Sequence, residues 1–227
     1  MLKDTLNSLK DRIFSSARRS GRGPEEITLL AVTKTVPLEI INEAIDLGIT
    51  DIGENKVQEA QGKFGSIRPT VRKHFIGHLQ SNKAKKAVEL FDLIESVDSL
   101  SLAEEIERHA SNLNKVQECM LEVKMSPEKT KFGLSGEEAE TLLDKIQGLK
   151  HVRVVGIMTM APYSDDPQSS RPFFRTAKVL FDKLKTKYPG FKYLSMGMSD
   201  DFEVAIEEGA NMVRIGTALF GERNYDK

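Results

Sequence analysis

Eight short apolar runs, seven of them followed by a stretch of helical periodicity, constrain this chain more than any other feature. The runs read as strands at 27–33, 50–53, 73–76, 92–96, 116–123, 152–157, 191–194 and 211–215. Short apolar or β-branched runs bounded by turn signals suit strands buried on both faces. Between them the spacing predicts helices at 37–47, 56–64, 80–90, 99–113, 135–147, 171–187 and 200–208, with Ser99 as a cap. Loops fill the rest, notably 124–133 and a Pro- and Asp-rich stretch before residue 171. Strand–helix alternation of this kind builds a parallel sheet, and eight units fit an α/β, single-domain (β/α)8 TIM-type barrel. An open doubly wound sheet is the alternative, but no G-x-G-x-x-G follows any strand.

One extra element precedes the first strand. Leu2, Leu6, Leu9, Ile13 and Ala17 fall at helical spacing, and the pattern stops at Gly21 and Gly23. The residues after the eighth strand are too few for the usual closing helix. The N-terminal helix, 1–20, is therefore expected to pack on the barrel and cover that gap. No linker interrupts the pattern, so residues 1–227 read as one domain.

Composition excludes several function classes. With 33 basic and 34 acidic residues the net charge is −1, so no basic field argues for nucleic acid or an anionic membrane. No apolar run approaches the ~20 residues of a bilayer span, and residues 1–23 lack the apolar segment of a signal peptide. The single cysteine, Cys119, excludes an internal disulfide and suits a reducing, cytoplasmic setting. It reads as a buried, inert thiol. The four histidines lack metal-ligand spacing, so no metal is expected.

The stretch Ile27–Pro37, ITLLAVTKTVP, carries the first chemical signal. Alternation puts Thr28, Leu30, Val32 and Lys34 on one face, and Pro37 suits the first turn of the helix that follows. Lys34 therefore closes a buried strand at its carboxyl end, where α/β proteins bind ligands. Desolvation lowers an amine's pKa and makes it a nucleophile able to form a Schiff base. By itself the stretch fits a snorkelling or ion-paired lysine equally well.

The other strand ends supply company for it. Asn55 follows the second strand, His78 the third, Met158 and Thr159 end the sixth, and Ser199 opens the helix after the seventh. Arg214, Gly216 and Thr217 end the eighth, Arg214 sharing parity with Met212 and Gly216 and opposing Val213 and Ile215. Barrels frequently hold phosphate between the loops after strands seven and eight, where glycine admits the backbone and hydroxyls add donors. Two tight turns with a serine cap fit the same spacing. Asp200 and Asp201 would repel an anion, so they are expected on the outer side of their helix. An arginine inside a barrel strand needs an anion, a carbonyl or a ring acceptor before it. Phosphate ligand, Schiff-base lysine and arginine together match what pyridoxal phosphate requires.

The segments AVTKTVP, DIGENKVQEA, HFIGHLQSNK, KFGLS, GIMTMAPYSDD, LSMGMSDDFEVAIEEGA and VRIGTALFG resemble, in order, the pyridoxal phosphate homeostasis family. That family is similar in fold to the N-terminal barrel domain of alanine racemase. The resemblance spans essentially the whole chain. It implies pyridoxal 5'-phosphate as cofactor, a Schiff base on Lys34, phosphate contacts from Ser199, Gly216 and Thr217, and Arg214 facing the pyridine nitrogen. It makes Asn55 a pocket contact. His78 reads equally as a neighbour of the pocket or as a histidine hydrogen-bonded at a strand end, and Met158 and Met160 as pocket wall or core.

Three functions remain open on the sequence. The favoured one is a binding protein in intracellular cofactor homeostasis, with apo-enzymes as recipients and a monomer or weak dimer as its state. The second is an amino-acid racemase or weak lyase, for which no second catalytic base stands out; Tyr163 and Tyr193 are present but nothing sets either opposite Lys34. The third is an aldolase-like barrel in which Lys34 takes a sugar phosphate.

Overall fold

In the computed structural model, which describes residues 1–125 and 132–222, eight strands pair in chain order into a closed parallel barrel. They are β1 (Thr28–Val32), β2 (Asp51–Glu54), β3 (Arg72–Phe75), β4 (Leu93–Val97), β5 (Gln117–Glu122), β6 (Val152–Met158), β7 (Tyr193–Ser195) and β8 (Met212–Ile215). Closure is set by β1, whose Leu30 lies beside Asp51 of β2 on one side and Arg214 of β8 on the other. The helices are α1 (Leu2–Arg19), α2 (Leu38–Asp46), α3 (Val57–Lys63), α4 (Ala84–Leu90), α5 (Leu100–Asn112), α6 (Gly136–Ile146), α7 (Arg171–Lys187), α8 (Phe202–Glu207) and α9 (Thr217–Phe220). None of them is long and apolar enough to cross a membrane. The loop expected over 124–133 lies largely outside the described residues.

The expected alternation is present, with three local differences. A helix does follow the eighth strand: the N–H groups of Leu219 and Phe220 bond the carbonyl of Gly216, giving the single turn of α9. Pro37 stands just before α2, in extended backbone, so its fixed φ leads the chain into the helix from outside. The helix expected at 80–90 begins as a 3-10 turn, Ser81–Lys83, and becomes α-helical at Ala84. Ser99 caps α5 as expected, its hydroxyl accepting from the Leu102 N–H at 3.3 Å.

The main apolar core lies between the sheet and its helices, where Ala31, Ile52, Phe75, Val213 and Ile215 face outward from their strands. Inside the barrel Leu30, Leu93, Met120, Val155 and Met212 form a small apolar plug, with Ile76 and Tyr193 packed against it. The rest of the interior is polar, with Asp51, His74, Glu95, Ser195 and Arg214 all buried. Barrel interiors are usually filled by layers of branched aliphatic residues. A polar interior has to satisfy each buried group or lose several kcal/mol for each one left bare, so an ordered network is required.

The apolar face of α1 (Leu6, Leu9, Ile13, Ala17) is buried against α8 and α9. Arg12 pairs with Glu203 at 3.1 Å and Arg19 with Glu207 at 2.7 Å. Arg22 donates to the Ala210 carbonyl at 2.9 Å and to that of Ile206, near the end of α8. Cationic donors there also meet the negative end of the helix dipole.

Candidate functional site

Lys34 sits in the turn just past β1. The Val36 N–H bonds the Thr33 carbonyl at 3.0 Å, and Thr35, third in the turn, has φ of 64°. Glycine is usual at such a position, and a β-branched residue there stores about 1–3 kcal/mol of strain. Helix α3 holds the turn in that shape. The Thr35 N–H donates to Glu59 Oε1 at 2.5 Å, and Lys63 Nζ donates to the Thr33 carbonyl at 3.0 Å. Lys63 also donates to Glu59 at 2.6 Å and Glu54 at 3.1 Å, while the Thr33 hydroxyl donates to Glu54 at 2.7 Å. Burial pushes the Glu54 carboxyl up against the pull of Thr33 and Lys63; at Glu59 the bonds from Lys63 and Thr35 outweigh burial and hold the carboxyl low.

From this turn Lys34 lines a cavity of about 750 Å³ together with Val32, Gly216, Thr217 and the first turn of α1. That volume lies within the range of small-ligand sites. A second cavity, of about 500 Å³, adjoins it through Thr217 and Ala218 and is lined by Ser199, Asp200 and Arg12. The Ser199 hydroxyl accepts from the Ala218 N–H at 3.1 Å, so the loops after β7 and β8 are tied together. Gly197 makes the first of these loops possible: its φ is 91°, and a Cβ there would sit 2.5 Å from that of Ala205. Asp201 folds back onto this loop, accepting from the Met198 N–H at 2.7 Å and from the Ser170 hydroxyl at 3.1 Å, and its charge reaches Arg214, so it does not take the outer position expected of it. Asp200 is exposed at the rim of the second cavity.

Arg214 lies inside the barrel, two residues before Gly216 on the same strand face. Its Nη1 donates to Ser195 Oγ and its Nη2 to the Thr159 carbonyl, both at 2.8 Å. These bonds engage two of the five guanidinium N–H groups. Burial pulls Arg214 below its ordinary value, countered by Glu95, Asp201 and Glu122, and it remains a cation at physiological pH. The Thr159 hydroxyl is buried with no partner among the described residues, an unfilled hydrogen-bonding position at the barrel mouth. A ligand bearing polar atoms fits such a position.

The remaining candidates are less central. Asn55 follows β2 with its backbone against Gly77, where a Cβ would lie 2.2 Å from the Asn55 carbonyl, and it lines neither cavity. His78 stacks on Phe132 at 3.8 Å and faces Asp98 at 3.7 Å, in keeping with a partnered strand-end histidine. Met158 is buried whereas Met160 is exposed. Tyr163 is 84% exposed and donates to Asp165, and Tyr193 accepts from Arg72 inside the barrel at 3.0 Å. Tyr193 lines neither cavity, whereas Tyr163 lines the second one, beside Ser199 and Thr217, and not the cavity of Lys34. Cys119 is buried, and burial pushes its thiol far up, as expected of an inert residue.

Glu54 and Ser195 stand at strand ends already legible in the sequence, but several of their partners escaped that reading. Glu59 and Lys63 shape the lysine turn with Glu54, and Asp51, His74 and Glu95 fill the barrel behind Arg214 with Ser195. Their signal was strand parity: Asp51, Arg72, His74, Glu95, Glu118 and Glu122 are charged or titratable residues within strands that otherwise read as buried.

The model of the alanine racemase N-terminal domain matches residues 6–224. A pyridoxal phosphate homeostasis protein of Aquifex aeolicus is 43% identical over 224 residues, covering 98% of each chain. The protein of the same description from Escherichia coli K12 is 40% identical over 226 residues, 98% of this chain and 97% of the other. Among solved structures, PipY of Synechococcus elongatus with pyridoxal phosphate bound is 36% identical with a TM-score of 0.85, over 97% of this chain and 100% of that one. Clostridium difficile alanine racemase, at 16% identity and a TM-score of 0.73, shares the fold over 57% of its own length.

Proposed function

The chain belongs to the pyridoxal phosphate homeostasis family, and from that premise we propose that it binds pyridoxal 5'-phosphate through Lys34 and acts as a reversible holder of the cofactor. Bound pyridoxal phosphate supplies an aldehyde, on which the Lys34 amine closes a Schiff base with release of water. Gly216 and Thr217 share the lysine's cavity, and with Ser199 they offer backbone N–H groups and hydroxyls suited to the phosphate. Asn55 lines neither cavity, and its contact with the cofactor is proposed from the family resemblance alone. Arg214 has donors to spare for the pyridine nitrogen and cannot give up a proton near neutral pH, so it leaves that nitrogen an acceptor. A ring so held is a weak electron sink, which favours holding over turnover.

The observation that carries the reading is the shared cavity: the end of β1 brings Lys34 to the same wall as Gly216 and Thr217, with Arg214 of β8 two residues before Gly216. The single buried thiol supports a cytoplasmic setting, and apo-enzymes that need the cofactor are the recipients we expect, with this chain a monomer or weak dimer. The test is spectroscopic. Purified protein mixed with pyridoxal phosphate should develop a visible imine band that borohydride bleaches, and Lys34→Ala should abolish it. A band at full strength in that variant overturns the lysine assignment. Exchange of an amino acid's α-proton in deuterated water, with turnover, would establish a racemase instead.

A further inference from the structure

A continuous hydrogen-bonded chain runs through the barrel from Arg214 toward its opposite end. Arg214 donates to Ser195 Oγ, and the Ser195 hydroxyl donates to Glu95 Oε2 at 2.7 Å. The other Glu95 oxygen faces His74 Nδ1 at 2.8 Å, and His74 Nε2 faces Asp51 Oδ1 at 2.9 Å. The Thr50 hydroxyl closes the chain on Asp51 Oδ2 at 2.7 Å. Five strands each contribute one link, β8, β7, β4, β3 and β2, and the His74 side chain is fully buried. We propose that His74 is a positioning residue for the cofactor-ring arginine, acting through Glu95 and Ser195 as a doubly protonated imidazolium clamped between two carboxylates.

With both carboxyls ionised, the hydrogen bonds call for this protonation. An ionised carboxylate only accepts, so a ring with carboxylate oxygens on both nitrogens satisfies them only when both nitrogens carry protons. Burial works against the cation, but the bonds from Asp51 and Glu95 outweigh it and raise the imidazole above its ordinary value; His74 correspondingly lowers Asp51. Basic and acidic side chains alternate along the chain: Arg214, Glu95, His74, Asp51. The other charged groups of the interior are engaged or set back. Arg72, two residues earlier on the same strand, is held by Glu118 of β5 and the Tyr193 hydroxyl of β7. Glu122 ends β5 at the barrel mouth, and β1 and β6 contribute Leu30 and Val155.

The consequence for the site is geometric. With one oxygen on His74, Glu95 has the other for the Ser195 hydroxyl, and Ser195 is left with lone pairs for Arg214. Remove the imidazolium, and Glu95 is free to swing to the guanidinium and draw it down the barrel. Outer residues that orient a ligand-holding group typically alter affinity about 10- to 100-fold.

The inference rests on the cofactor reading above, and its test separates the two. In the cofactor-free protein, nitrogen-15 spectra of the histidine rings should show His74 protonated at both nitrogens well above the ordinary imidazole pKa of about 6.5. A singly protonated ring there overturns the proposal, whatever the cofactor does. With pyridoxal phosphate, His74→Gln and Ser195→Ala should each weaken binding about tenfold and move the pH midpoint of the imine band in the same direction. The double variant should be no worse than the weaker single, since both break one chain. Wild-type affinity and midpoint in a folded His74→Gln protein, or additive losses, overturn it. Should His74→Gln fail to fold, Glu95→Gln asks the same question from the next link. A wild-type protein with no imine band sinks the cofactor reading and leaves the ring spectrum to stand for itself.

Discussion

Glu122 ends β5 with its carboxyl buried at the barrel mouth, and burial, reinforced by Asp98, pushes it up to about 7 against the pull of Arg214. Its unfolded value is about 4.3, so between those two values the native state keeps a proton that the unfolded chain has lost. The stabilisation is complete below the unfolded value and disappears as pH rises through the folded one. Above that, a buried carboxylate is a net cost of up to ~3 kcal/mol. Glu122→Gln keeps the shape and removes the titration. We expect the variant's unfolding free energy in denaturant to match wild type near pH 4 and to exceed it by about 1–3 kcal/mol near pH 8; equal differences at both would refute the assignment. Glu122 also illustrates where reading a sequence stops. Lys34 and Arg214 could be singled out because a strand end and strand parity are local facts. A raised carboxyl depends on burial and on charges brought near it from elsewhere, here Asp98 after β4 and Arg214 of β8, and spacing along one strand carries no such information.

At the scale of elements, α3 acts as a brace for the turn that presents Lys34. Lys63 is the hinge of that brace, shared by Glu54, Glu59 and the Thr33 carbonyl. The second Glu54 oxygen is buried with no partner among the described residues, so Lys63 is the cation keeping this carboxylate tolerable. Removing one member of a buried pair costs about 3–5 kcal/mol because the other charge stays behind. Lys63→Met should therefore lower stability by roughly 3 kcal/mol, and adding Glu54→Gln should restore more than half of it in the same unfolding assay. Failure of the second change to rescue would place the damage in the Thr33 carbonyl instead. The eight strands and most helices were legible because burial on both faces and helical periodicity are written locally. The brace was not. A Glu-x-x-x-Lys spacing on a short helix reads as an ordinary surface pair, and only closure of the barrel turns it onto the preceding loop.

Over the whole molecule, α1 does the work that a full helix after β8 does in longer barrels, because α9 is a single turn. The sequence indicated that cover from one amphipathic stretch and a short tail, though it did not foresee α9 beneath it. The docking is mostly apolar: Leu6, Leu9 and Ile13 are each less than 5% exposed, and the ion pairs of Arg12 and Arg19 with α8 are half-exposed. Exposed pairs of that kind contribute about 0–1 kcal/mol, whereas truncating a buried leucine costs about 2–5 kcal/mol. Leu9→Ala should thus destabilise the fold by at least 2 kcal/mol, and Arg12→Gln by under 1 kcal/mol. The first turn of α1 also walls the cavity of Lys34 through Met1, Leu2 and Thr5. If that wall shapes the cofactor's surroundings, loosening α1 should weaken pyridoxal phosphate binding in Leu9→Ala under conditions where the protein remains folded. Affinity unchanged at full folding would mean that the barrel alone forms the site and that α1 is a cover for the sheet and nothing more.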